Sequence, residues 1–164
     1  MTSELDAVAQ GVVDHLNAIG VEHELMACDP ALADTAAFCA AYGVAPEESA
    51  NTIVVVGKTE PPAVAACVVL STTRLDVNHV VRARLGVKKC SFASADQTVA
   101  LTGMMIGGVT AFGLPASMPV WVDAAVMARD TIVLGGGSRS WKIRCRPDEL
   151  LRLGNVEVVD GLAG

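Results

Sequence analysis

Two glycine-rich stretches are where this chain's residues could do chemistry. The first, Gly107-Gly108-Val109-Thr110-Ala111-Phe112-Gly113-Leu114-Pro115, sets three glycines and a proline within nine residues. Glycine lacks a Cβ, so such a loop lets a ligand approach the backbone closely. Pro115 stiffens its exit. The plain alternative is a structural Ω-loop packed by its own side chains. The second stretch, Gly135-Gly136-Gly137-Ser138-Arg139-Ser140, lies between two β-prone runs. A dinucleotide fingerprint would need a third spaced glycine and a helix after it, and both are missing. Two readings remain: a glycine hairpin, or a cradle of backbone N–H groups for an anion or carbonyl oxygen with Arg139 beside it.

Other reactive residues are scattered. Cys28, Cys39, Cys67, Cys90 and Cys145 form no C-x-x-C pair and no Cys/His set at ligand spacing. They read as small apolar core residues. His15, His23 and His79 are equally isolated. No Ser-His-Asp arrangement, H-E-x-x-H motif or carboxylate pair is legible. The expectation is a site without metal or cofactor.

The elements that must position these loops follow from periodicity and caps. Leu5, Val8, Val12, Leu16 and Ile19 recur at helical spacing, with Ser3 as a cap and Gly20 as the stop. A short strand is predicted over Val21–Met26. A helix opens at Asp34 or Thr35 and closes at Gly43. Thr52–Val56 and Ala63–Leu70 are β-branched or small apolar runs that read as buried strands. Asp76 caps a helix to Leu85, and Ser94-x-x-Gln97 forms a capping box for a helix ending at Gly103. Strands are predicted over Pro119–Val122, Thr131–Leu134, Trp141–Cys145 and Asn155–Val159, and Pro147 opens a helix. Strands come mostly as neighbours, which predicts an α+β fold on a central mixed, curved sheet with flanking helices.

Composition sets the bounds. The chain has 164 residues, 52% hydrophobic and 18% charged, which fits one domain, residues 1–164, and excludes disorder and coiled coil. A chain of this size buries roughly 70% of its unfolded surface and needs no disulfide staples. The net charge of -6 makes the whole chain a poor polyphosphate binder, although a local basic patch such as Lys88-Lys89 is compatible with it. Mean hydropathy is +0.46, which suggests apolar surface covered in a homodimer. The longest apolar run, Ala63–Leu70, is far below the roughly twenty residues of a membrane helix. Met1-Thr2-Ser3-Glu4 offers no signal-peptide start, so a cytoplasmic protein is expected.

Taken in order, the motifs resemble the YbaK/prolyl-tRNA-synthetase-associated editing domain family. The matching stretches are Asp34-Thr35-Ala36-Ala37, Gly43-Val44, Asn51-Thr52-Ile53-Val54-Val55, Arg74-Leu75-Asp76 and Leu85-Gly86-Val87-Lys88-Lys89. They continue through Gly107-Gly108-Val109-Thr110-Ala111-Phe112-Gly113, Gly137-Ser138-Arg139 and Asp148-Glu149-Leu150-Leu151-Arg152-Leu153. The resemblance implies an α+β domain that hydrolyses, without metal, the ester of a mischarged tRNA, commonly tRNA(Pro) carrying Cys or Ala. It implies as partners the aminoacyl-tRNA 3′ end and an aminoacyl-tRNA synthetase, with no membrane. Carried over residue by residue, Gly108 and Asn51 fall at the catalytic positions. Thr52, Gly107, Val109, Thr110, Gly137, Ser138 and Arg139 fall at substrate-binding positions.

Three positions depart from that pattern. The family lysine at the start of the first core strand is Asn51, the loop proline is Ala111, and Lys142 stands where one branch carries an aspartate. Replacing a charge-assisted contact by a neutral amide forfeits about 1.5–3 kcal/mol. That is roughly ten- to a hundredfold in rate. Two functions therefore stay open at this stage: a trans-editing deacylase, or a non-catalytic descendant that binds a small ligand or a protein partner.

Overall fold

The computed structural model describes residues 4–164. The helices are α1 (Ala7–Ala18), α2 (Thr35–Tyr42), α3 (Arg82–Leu85), α4 (Ala95–Thr102) and α5 (Ala124–Met127). The strands are β1 (Glu24–Ala27), β2 (Ala50–Gly57), β3 (Val64–Leu70), β4 (Cys90–Phe92), β5 (Val120–Asp123), β6 (Ile132–Gly135), β7 (Trp141–Cys145) and β8 (Val156–Val159). The class is α+β, as expected, but the strands divide between two sheets. A five-stranded sheet has the order β4-β2-β3-β5-β8, and a three-stranded one the order β1-β7-β6. In the larger sheet β4, β2 and β3 run antiparallel, while β3, β5 and β8 run parallel, so it is mixed. One parallel bridge, Ser49 to Val133, joins the two sheets.

The unbroken apolar runs of β2 and β3 have a direct cause. Both faces of the larger sheet are covered. Val54, Ala66 and Val68 enter a core shared with Leu16, Phe112, Leu134 and Ile143. Their neighbours Val55, Ala65, Cys67 and Val69 point the other way, against Leu75, Val81, Trp121 and Leu162. A strand buried on both faces loses the polar half of its alternation. Phe112 and Trp121 are therefore core residues.

Caps account for most boundaries. Asp34 and a left-handed Gly43 bracket α2, and both halves of the Ser94/Gln97 box are formed at α4. Asp76 accepts from the His79 N–H at the head of a π-helical turn over Val77–Val81 that leads into α3. Ser3 lies outside the described residues, and the cap of α1 is Asp6. The expected strand over Val21–Met26 starts only at Glu24, because the Val21 N–H closes the end of α1 on the Leu16 carbonyl. Pro147 opens a 3₁₀ segment rather than an α-helix. The short β4, paired to Val55–Gly57, has no counterpart in the sequence reading. Among the described residues no helix is long and apolar enough to cross a membrane.

Asp6 also ties α1 to the second glycine stretch. Its carboxylate accepts from the Ala9 N–H at 2.8 Å and from Ser138 Oγ at 2.6 Å. Burial opposes ionisation here, but the Ser138 and backbone hydrogen bonds outweigh it and hold the carboxyl below its ordinary range. A depressed folded pKa stabilises the fold above the unfolded pKa, and that contribution is lost as pH falls through the folded value. Asp6→Ala is expected to lose about 1 kcal/mol at neutral pH, the usual cost of a removed cap. The gap to wild type should shrink below about pH 3, under the unfolded carboxyl pKa. Urea denaturation at both pH values checks this.

Candidate active site

The site is built on contact between the two glycine stretches, peptide against peptide. The Gly137 N–H donates to the Gly108 carbonyl at 2.6 Å, and the Gly137 carbonyl accepts from the Met105 N–H at 3.2 Å. No side chain fits between them. A Cβ on Gly108 would lie 2.5 Å from the Ser138 carbonyl oxygen, and one on Gly135 would lie 2.5 Å from that of Val109. Gly107 and Gly137 additionally hold φ of +89° and +93°, a region that side chains disfavour.

The residues flanking this contact, Gly107, Val109 and Gly135, form one side of a cavity of about 270 Å³. Its opposite wall is the start of β2, with Asn51 and Thr52, and Thr35 and Phe38 of α2 complete it beside Lys142 of β7. Phe92 and Ile106 line it and remain about half exposed, which places them at its rim. The cavity thus lies where the two sheets meet.

Four of the sequence-predicted residues share the cavity wall: Asn51, Thr52, Gly107 and Val109. Asn51 Oδ1 accepts from Thr35 Oγ1 at 3.1 Å. Thr52 Oγ1 is buried without a partner, an arrangement that costs free energy unless something occupies it. The N–H groups of Gly107 and Val109 meet no acceptor among the described residues. With the Ile106 N–H, they are the unpaired loop donors on residues of the cavity wall.

The other five are placed elsewhere. Gly108, carried over as a catalytic position, lies outside the cavity lining, and its N–H donates to the Met105 carbonyl at 2.8 Å. Gly137 fills the backbone contact just described. Thr110 is fully buried away from the cavity, its hydroxyl also unpartnered. Ser138 does not close the pocket, since its hydroxyl is turned to Asp6. Arg139 acts as a brace. It donates to the Pro30 carbonyl at 3.1 Å, to Asp34 at 3.2 Å and to the Ile106 carbonyl at 3.1 Å. For Gly108, Gly137, Ser138 and Arg139 one physical reason holds: hydrogen bonds within the chain use these groups before any ligand can.

Sequence reasoning missed Lys142 as a wall residue. It is only 8% exposed, and its Nζ donates to the Ala33 carbonyl at 2.8 Å and the Gly107 carbonyl at 3.1 Å. It lies 5.2 Å from the centre of the Phe38 ring. Burial pushes its pKa below the usual lysine range. Arg139 adds to that, while Cys28, Asp34 and Cys39 oppose it. The one sequence signal was its place in the family pattern, where Lys142 stands at a position that one branch fills with an aspartate. Neither Cys28 nor Cys39 offers an activated thiol, because burial raises both. Among the described residues no three His, Cys, Asp or Glu side chains converge on a metal-sized site.

Fold and site together define an α+β domain whose preformed cavity is walled by peptide groups, an amide, hydroxyls and one ammonium. A family model described as an aminoacyl-tRNA editing domain matches residues 29–153, and the chain belongs to that family. Solved structures agree on the fold. A protein described as a candidate trans-editing enzyme for prolyl tRNA synthetase superposes with a TM-score of 0.83 at 23% identity, covering 96% of this chain and 98% of its own. The hypothetical protein APE2540 superposes with a TM-score of 0.82 at 26% identity, covering 94% and 99%.

Gly108→Ala is expected to force the two glycine stretches apart. Overpacking of this kind typically costs 1–3 kcal/mol, so the variant should unfold at a clearly lower denaturant concentration than wild type. An unchanged midpoint would mean that the contact yields without cost.

Proposed function

We propose that the protein hydrolyses the ester linking a wrong amino acid to tRNA, acting in trans on the aminoacyl 3′ end. One observation carries this reading. The free N–H groups of Gly107 and Val109 share a cavity with the Asn51 amide and the unpartnered Thr52 hydroxyl. In ester hydrolysis a water oxygen attacks the acyl carbon, the carbonyl oxygen takes up negative charge, and the C–O bond to the ribose breaks as that oxygen is protonated. Rigid donors at the developing oxyanion are the largest single aid, each worth about 3 kcal/mol. Gly107 and Val109 serve as those donors, and Gly108, Gly137, Ser138 and Arg139 keep them in place. Thr52 and Asn51 orient the ribose or the acyl group. Family membership supports the substrate class, with tRNA(Pro) and a companion prolyl-tRNA synthetase first among the partners to test.

A second reading has its own observation. Asn51 carries no charge, and its carbonyl oxygen is already held by Thr35, which suits a pocket that binds without turning over.

Deacylation of tRNA carrying Cys, Ala or Ser separates the two. Turnover by wild type is expected. Thr52→Val should cut kcat/KM about tenfold for a hydrogen bond lost in the transition state. It should also raise stability, because a buried unsatisfied hydroxyl disappears. An inert wild type beside an active Asn51→Lys would favour the binding reading.

The tRNA itself needs a cationic contact on this acidic chain. Lys88 and Lys89 are exposed. Changing both to Gln should weaken tRNA binding and reduce the slope of log affinity against log salt by up to about two. An unchanged slope would remove them from the interface.

A further inference from the structure

Lys142 is the one basic side chain in the cavity wall among the described residues, and Asp34 is the one acidic one. Asp34 is an exposed carboxylate that Arg139 already engages. The Lys142 ammonium therefore sits nine-tenths buried with two carbonyl oxygens as partners and no carboxylate in hydrogen-bonding contact. Burying a cation is costly, and neutral carbonyls offset only part of that cost. An ammonium has three N–H donors. Two are used, on Ala33 and Gly107, and the third is left for a ligand oxygen. Its anchor on the Gly107 carbonyl places the charge within one peptide group of the free Gly107 N–H.

We infer that Lys142 supplies the positive charge of this site, binding the carbonyl oxygen of the acyl group and steadying it as it becomes an oxyanion. The kinetic part of this inference rests on the proposed deacylation. No proton leaves the lysine in this role: the ammonium remains an ammonium while charge grows on the oxygen opposite it. Such a charge-assisted contact is stronger in the transition state than in the ground state, the condition for accelerating the reaction.

A merely structural lysine would do something different. It would strap the loop at Gly107 to the turn ending at Ala33, and its loss would lower stability without touching the pH profile. The charged and titratable groups around it are Asp34 and Cys39 of the α2 region, Cys28 after β1, and Arg139 before β7. None of them replaces its position in the wall.

The test combines kinetics with a direct view of the amine. Lys142→Met should lower kcat/KM about ten- to a hundredfold, the worth of one charge-assisted bond. In wild type, after subtraction of uncatalysed hydrolysis, activity should fall as pH rises through the lowered Lys142 pKa. In Lys142→Arg that alkaline fall should vanish, since guanidinium stays charged. NMR titration of ¹³Cε-labelled lysine in the intact protein should show the Lys142 pKa rising when 3′-alanylamino-3′-deoxyadenosine, an amide-linked analogue, is added. A Lys142→Met enzyme as active as wild type overturns the inference, as does an alkaline fall that persists in Lys142→Arg. An analogue that leaves the Lys142 titration unmoved also overturns it. The NMR arm separates this inference from the deacylase reading. An inert wild type whose Lys142 still responds to the analogue would end the deacylase reading alone. An active one whose Lys142 does not respond would end this inference alone.

Discussion

The site depends on the meeting of two peptide groups at Gly108 and Gly137. A 2.6 Å backbone hydrogen bond joins them; a methyl on Gly108 would run into Ser138, and one on Gly137 into Val12 of α1. Close-packed interiors rarely bring main chain against main chain outside helices and sheets, because a Cβ usually intervenes. Here its absence fixes the loop from Gly107 to Pro115 against the end of β6. The orientation of every donor in that loop follows from the fixation. Gly108 is needed for what it lacks, and its neighbours Gly107 and Val109 present the N–H groups.

Cations hold the arrangement from outside. Arg139 grips the Ile106 carbonyl and Lys142 the Gly107 carbonyl, and both also reach the turn at Pro30–Asp34. Ser138 extends the same brace to Asp6 at the head of α1. Segments more than a hundred residues apart in the chain thus converge on one loop. A preorganised site needs such support, since donors that must be ordered at the moment of reaction lose much of their effect.

Local chemistry made much of the architecture readable from the sequence. Gly43, Ser94 with Gln97 and Gly103 mark helix ends because their side chains, or the lack of one, solve a problem at the terminus itself. The runs in β2 and β3 were legible because burial on both faces leaves an unbroken apolar string. What escaped depends on distant partners. The three residues of β4 form a strand only because Val55–Gly57 offers them an edge. The division into two sheets is a matter of pairing, which no single run encodes. Of the cavity wall, Asn51, Thr52, Gly107 and Val109 had been singled out through the motifs that carry the family resemblance. The loss of the Gly108 N–H to Met105, the turning of Ser138 toward Asp6, and the burial of Lys142 could not be found that way. The last two are decided by contacts between segments remote in sequence, and the first by a turn within the loop itself.

The single bridge between Ser49 and Val133 has a consequence for how such a pocket changes size. Asn51 and Thr52 stand on one sheet, Gly135 and Lys142 on the other, so the cavity works like the gap of a calliper whose jaws are separate sheets. Between the jaws stand spacers such as Val68 and Ile143, which belong to the core the sheets share and lie outside the cavity lining. A methylene added or removed there acts on the spacing of the walls without replacing a group that lines them. The bore of the pocket and the chemistry of its lining can therefore be altered independently of each other.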